Sequence, residues 1–197
     1  MIVMERASTG EHHRLQVDAW HEPATDVEID LITSLIPPVL DVGCGPGRIA
    51  AALAQRGVPS LGIDVSPSAL TAATRAGATV LSRSVFDVLP GEGRWGSALL
   101  LDGNVGIGGD PELLLGRLRQ LLRPDGEAVV EVEGPGRPSV VDSVRLRCPR
   151  SGDTPWFGWA WVGADDVHRL AAAAGFAGSV VEHRNGRHFA RLHGVGG

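Results

Sequence analysis

Val39-Leu40-Asp41-Val42-Gly43-Cys44-Gly45-Pro46-Gly47-Arg48 is the stretch that decides the fold. An apolar run ends at a carboxylate, and glycines follow at alternate positions. This is the pattern of a buried parallel strand that turns sharply into a helix past a ligand. Glycine has no Cβ, so it tolerates positive φ and lets backbone approach a ligand closely. The helix that follows points its N-terminal amides at the same spot. A second apolar run, Val58 to Ile63, ends at Asp64. Side by side in an open parallel sheet, both turns open onto the crevice beyond the strand ends.

The rest of the chain continues the alternation. Ala78 to Leu81 reads as a third strand, Trp95 to Leu101 as a fourth and Ala128 to Val132 as a fifth. Residues 46–56 read as the helix after the loop, stopped at Gly57. Ser66-Pro67 starts another helix, with Ser66 at the N-cap and Pro67 in its first turn,. Asp110-Pro111 opens a third, carrying Leu113, Leu114, Leu118, Leu121 and Leu122 on its apolar side. Short buried strands alternating with helices specify a parallel α/β sheet with right-handed crossovers.

Both ends of the chain depart from this rhythm. Residues 11–36 read mostly as helix, from Leu15, Ala19, Val27, Leu31 and Leu35, with Pro23 interrupting,. Residues 134–163 are rich in Gly, Pro, Arg and Trp. Ser139 to Arg147 and Trp156 to Val162 alternate, which predicts an antiparallel pair inserted after the fifth strand. Ala164 to Ala174 reads as a helix. Phe176 to His183 and Arg187 to Leu192 flank Asn185-Gly186, a strong short hairpin signal,.

Composition bounds the function. A chain of 197 residues is read as a single domain spanning 1–197,. No apolar run approaches the roughly 20 residues needed to span a bilayer. The first ten residues lack the apolar core of a signal peptide, so the expected location is cytoplasmic and no membrane partner is expected. A net charge of −5 argues against nucleic acid as a partner,. The basic residues are all arginine, and lysine and tyrosine are absent, which fits a GC-rich genome and says nothing about chemistry. Cys44 and Cys148 do not form a disulfide framework,. No cluster has metal-ligand spacing, so no metal is expected.

The ligand loop has two family readings. A nicotinamide fingerprint needs a third glycine where this chain has Arg48,. The spacing Asp41-x-Gly43-x-Gly45-x-Gly47, with Asp64 ending the next strand, resembles the first motif of class I S-adenosylmethionine-dependent methyltransferases. The resemblance implies a Rossmann-like, seven-stranded, mostly parallel sheet with an antiparallel C-terminal hairpin strand and helices on both faces. It implies S-adenosyl-L-methionine as cofactor, approached by Gly43, Cys44, Gly45, Gly47 and Arg48. Asp41 anchors the loop and the ammonium side, while Asp64, followed by Val65, receives the ribose hydroxyls. Phe86-Asp87-Val88 resembles the segment that meets the adenine. Asp102-Gly103-Asn104 ends the fourth strand where cofactor and substrate meet in that family. Leu122-Arg123-Pro124-Asp125-Gly126 resembles the turn before the fifth strand.

Each feature also has a plainer reading. Cys44 is read as packing. Asp87 either meets the ligand or caps a local turn. Asp102 either organises Gly103, or orients a substrate and takes its proton. Gly103 to Gly109 is either a flexible connection or part of the active-site floor. His12-His13 are read as exposed. The Asn/Asp-Pro-Pro-Tyr motif of amine-methylating relatives is absent, which counts against adenine or exocyclic-amine methylation. Phe157, Trp159 and Trp161 share one strand face, and Trp156 lies opposite,. That face is either core or the wall of an acceptor pocket. Arg137, Arg145, Arg147 and Arg150 flank it and suggest an apolar or aromatic substrate bearing a negative group.

The expected activity is methyl transfer to a small-molecule acceptor through an oxygen, nitrogen or carbon nucleophile. A cofactor-binding module without turnover and a nicotinamide oxidoreductase are the rivals. Neither a catalytic base nor an oligomeric state is legible.

Overall fold

The computed structural model describes residues 2–149 and 152–195. Two strands open the chain, β1 (Val3–Arg6) and β2 (His12–Arg14). A 3₁₀ turn (Val17–His21) leads to α1 (Asp26–Thr33). The alternating body follows as β3 (Val39–Val42), α2 (Arg48–Gln55), β4 (Ser60–Asp64), α3 (Pro67–Arg75) and β5 (Val80–Ser82). It continues with β6 (Trp95–Leu100), α4 (Pro111–Leu121) and β7 (Leu122–Val132). The chain closes with β8 (Val140–Arg147), β9 (Phe157–Trp161), α5 (Val167–Ala173), β10 (Gly178–Arg184) and β11 (Arg187–His193).

The main sheet has seven strands in the order β10-β11-β7-β6-β3-β4-β5. Strands β7, β6, β3, β4 and β5 run parallel, and β11 joins β7 antiparallel. Strand order reverses at β3, which continues to β4 on one side and meets β6 on the other. The crevice at the carboxyl ends of β3 and β6 is therefore the topological switch point where open α/β sheets bind ligands. One sheet face packs on α4 and α5 through Leu114, Leu118, Val167 and Leu170. The opposite face packs on α1 and α2 through Leu31, Ile32, Ile49 and Leu53.

The helix boundaries follow local chemistry. Ser66 caps α3 by accepting from the Ala69 amide, and Pro67 sits in its first turn. Asp110 caps α4 through the Leu113 amide. At the start of α1, Thr25 and Glu28 form a reciprocal capping box,. The Arg123-Gly126 turn is absorbed into β7 as an irregularity, where Trp95 pairs with Leu122 but Ser97 pairs with Glu127.

The largest departure from the sequence reading is at the N-terminus. Residues 11–36 are helical only in α1 and the short 3₁₀ turn. Here β1 pairs antiparallel with β8, and β2 with β1, so the expected two-stranded insertion becomes a four-stranded sheet, β2-β1-β8-β9. Residues 12–14 are exposed on both sides of the strand, so no burial period marks them. They pair with β1, which is itself held by β8 more than a hundred residues away, so tertiary context overrides weak local propensity,.

Candidate active site

Two adjoining cavities open at the carboxyl ends of β3 and β6. The first, about 610 Å³, is lined by Asp41, Gly43, Cys44, Gly45 and Arg48 from the glycine loop. Asp64, Val65 and Ser66 after β4 and Arg83 to Val85 after β5 complete its far wall. The second, about 510 Å³, lies towards β7, β9 and β11. Asp102, Asn104, Phe157, Trp159 and Trp20 line both, so these residues form the junction.

The three loop glycines serve different purposes. Gly45 sits at φ +53, and a Cβ there meets nothing within 4 Å, so its open side is the cavity. Gly47, at φ +87, is a packing glycine, since a Cβ would stand 2.5 Å from the Ala73 Cβ of α3. Gly47 accordingly does not line the cavity. The loop is tied down from two sides. Asp64 accepts the Gly45 amide at 2.9 Å and the Ser66 amide at 2.8 Å. Asn104 Nδ2 donates to the carbonyls of Val42 and Gly43 at 3.1 and 2.9 Å. Cys44 is buried, and its sulfur stands 2.8 Å from where a Cβ on Gly62 would lie. Burial, reinforced by Asp41 and Asp64, pushes its thiol pKa up, so the sulfur stays protonated.

Asp41 is 4% exposed, and its Oδ2 has no hydrogen-bond partner among the described residues. Burial, with the nearby charge of Asp102, raises its pKa to about 7. A buried, unsatisfied carboxylate oxygen in a cavity wall costs stability and marks a place for a donor.

The sequence reading missed the polar network behind the junction. Glu28 of α1 is fully buried. It accepts from Arg48 and, at 2.7 Å, from Arg187 of β11. Arg48 also bonds Asp102, and Arg187 bonds Glu131 at 2.7 Å. The Asp102 amide donates to Glu131 at 2.7 Å, holding Asp102 at φ +55. Against the cost of burying Glu28, the two arginines hold its pKa down at about 2. Partial withdrawal from water raises the Asp102 pKa, opposed by Arg48. Thr25-x-x-Glu28 was readable as a capping box, but nothing local announces that two arginines converge on it.

Other expected contacts are rearranged. Phe86, Asp87 and Val88 do not line the cavity, and Ser84 and Val85 do. The Asp87 carboxylate accepts the Ser84 amide at 2.9 Å, which is the local-turn alternative. Gly103 lines only the second cavity. The glycine-rich segment after it forms a 3₁₀ turn (Asn104–Gly106) pressed on β9, and a Cβ on Gly106 would lie 2.0 Å from the Ala160 carbonyl. Close approach to β9 explains Gly106 and Gly109, whereas a Cβ on Gly103 would meet nothing within 4 Å and one on Gly108 would meet Phe86.

Phe157, Trp159 and Trp161 are half-buried and face the second cavity. Trp156 is exposed and stacks under Arg145. The arginines expected to meet a negative group are engaged elsewhere. Arg145 and Arg147 pair with Glu5, Arg137 is exposed, and none of the three lines either cavity. Arg150 lies outside the described residues.

Residues 39–126 match the family model described as a methyltransferase domain. The match covers a little under half of the chain, from β3 to the turn at Gly126. No curated protein matches the sequence. Among solved structures, the chain is similar to an S-adenosylmethionine-dependent methyltransferase from Bacteroides fragilis, in complex with S-adenosyl-L-homocysteine. That match has a TM-score of 0.80 at 20% identity, covering 98% of this chain and 87% of the other. An amino pentose methyltransferase from Micromonospora echinaspora matches at TM-score 0.63 and 20% identity, over 94% and 99% of the two chains. A 1,6-didemethyltoxoflavin-N1-methyltransferase from Burkholderia thailandensis matches at 0.60 and 22%, over 90% and 80%. These similarities establish the fold of the chain. Among its described residues, no helix is long and apolar enough to cross a membrane.

Proposed function

We propose that the chain transfers a methyl group from S-adenosyl-L-methionine to a small-molecule acceptor. The observation that carries this reading is the pair of cavities meeting at Asp102 and Asn104, one lined by the glycine loop and the other by tryptophans. The unsatisfied Asp41 Oδ2 fits a cofactor that brings ammonium donors. Relatives of the same fold in complex with S-adenosyl-L-homocysteine or with 1,6-didemethyltoxoflavin support both halves of the reading.

Bound in the first cavity, the cofactor supplies an electrophilic methyl group on a sulfonium. The residues of this chain bind and align. Gly43 and Gly45 let backbone approach the amino-acid end, and Asp41 accepts from it. The free lone pairs of Asp64 accept from the ribose hydroxyls. Arg83, Ser84 and Val85 close over the base. Trp159, Phe157 and Trp20 exclude water from the junction. Holding two reactants in line is the main requirement when the leaving group is already good.

Calorimetry with S-adenosyl-L-methionine, S-adenosyl-L-homocysteine and NAD tests the proposal. Binding of the two sulfur ligands and no heat from NAD is expected. Tight NAD binding with no response to either sulfur ligand overturns it.

A further inference from the structure

The wall chemistry of the second cavity narrows the acceptor. Three carboxylates line it, Asp102, Glu131 and Glu133, against a single guanidinium, Arg187. The network behind it is also short of positive charge. Among the described residues, Glu28, Asp102 and Glu131 share only Arg48 and Arg187. Glu133 has no ion-pair partner among the described residues. The opposite wall is apolar and aromatic, with Trp159 and Trp161 on β9 and Phe157 set edge-on to Trp159 at 6.3 Å. The nearby arginines that could receive an anion are paired with Glu5 on the second sheet, outside the cavity.

We propose that this cavity takes an amine acceptor on a planar apolar body, and that its carboxylates select for positive charge. The inference rests on the methyltransferase reading above. Methyl transfer to a neutral amine moves a unit positive charge across the junction. The bound ammonium first gives a proton to water, the nitrogen lone pair so freed forms the N–C bond, the C–S bond breaks, and its electron pair stays on sulfur. The sulfonium becomes a neutral thioether, and the new ammonium then gives a proton to water. Positive charge thus leaves the first cavity and appears in the second, beside Asp102 and Glu131. Fixed carboxylates placed where charge develops stabilise that transition state. The aromatic wall supplies stacking area and cation–π attraction. An anionic acceptor gains nothing from this wall and is repelled by it.

The test uses three matched indoles on the full chain saturated with S-adenosyl-L-homocysteine. These are tryptamine, a cation; indole-3-ethanol, which is neutral; and indole-3-propionate, an anion. Calorimetry at pH 7 is expected to give tryptamine at least tenfold tighter than indole-3-ethanol, with indole-3-propionate weakest. In Glu133→Gln the preference for tryptamine over indole-3-ethanol is expected to fall at least threefold, with affinity for S-adenosyl-L-homocysteine unchanged. If indole-3-propionate binds as tightly as tryptamine, or if no indole binds to the loaded protein, the proposal is overturned. An unchanged preference in Glu133→Gln also overturns it. Failure of S-adenosyl-L-homocysteine itself to bind is a different result and removes the methyltransferase reading.

Discussion

Glu28→Gln is the most informative single change. The substitution keeps side-chain size and removes one charge from a fully buried position. In the folded protein Arg48, Arg187 and the Thr25 amide hold the Glu28 pKa at about 2, against an ordinary 4.5. By linkage that difference corresponds to about 3 kcal/mol of stability near neutral pH. Breaking a buried ion pair typically costs about 3–5 kcal/mol, because a charge is left uncompensated. Here each arginine keeps a second carboxylate, Asp102 for Arg48 and Glu131 for Arg187, so the lower end applies. The sign follows from a depressed folded pKa: the stabilisation is present above the unfolded value and is lost as pH falls towards the folded one. At pH 3 most of it has gone, so the gap between parent and variant should close by about 2 kcal/mol relative to pH 7. Urea unfolding at both pH values measures this directly. A gap of the same size at pH 3 and pH 7 refutes the electrostatic account and leaves lost packing as the cause.

Asp64→Ala should weaken S-adenosyl-L-homocysteine binding by about 1.5–3 kcal/mol, the range for losing hydrogen bonds to a charged group; unaltered affinity by calorimetry removes Asp64 from the ribose role. Asp41→Asn should raise the melting temperature of the ligand-free protein at pH 8. A carboxylate whose folded pKa is lifted to about 7 costs stability increasingly as pH rises from its ordinary 3.8, and the amide escapes that cost,. The same variant should bind S-adenosyl-L-methionine less well, and a lowered melting temperature counts against the orphaned-oxygen reading. Gly47→Val should destabilise the fold by more than 1 kcal/mol or so, since positive φ and the 2.5 Å approach to Ala73 both oppose a side chain,; a variant as stable as the parent shows that α2 and α3 can separate freely. Trp159→Ala should leave S-adenosyl-L-homocysteine affinity nearly intact and lower acceptor turnover, whereas a loss of about 3–5 kcal/mol in unfolding free energy identifies Trp159 as core instead.

The alternating sheet was legible because its signals are local and strong. Four of the five apolar runs end at a carboxylate, and the helix starts at Ser66 and Asp110 carry caps that work within one turn. Buried parallel strands need continuous apolar sequence, so their positions cannot be hidden. The glycine loop was legible for a related reason, since backbone at positive φ restricts which residue can occupy it. What Gly47 is for was not legible, because the Ala73 that crowds it belongs to another helix.

Tertiary structure decided the rest. Strand β1 pairs with the edge of β8, a partner that no window around residue 4 contains, and β2 then pairs with β1. A neighbouring amide donates to the Asp87 carboxylate, and Glu5 at the far end of the chain pairs with Arg145 and Arg147. The meeting of Glu28, Arg48, Asp102, Glu131 and Arg187 draws on five separate segments. A charge pair leaves no period and no spacing in sequence, since its energy depends only on distance and burial. The sequence determined where a cofactor-sized ligand could approach the backbone, because that demand falls on single residues. Only the folded chain determined the charge of the acceptor wall, because that is a sum over groups which the sheet, and nothing earlier, brings together.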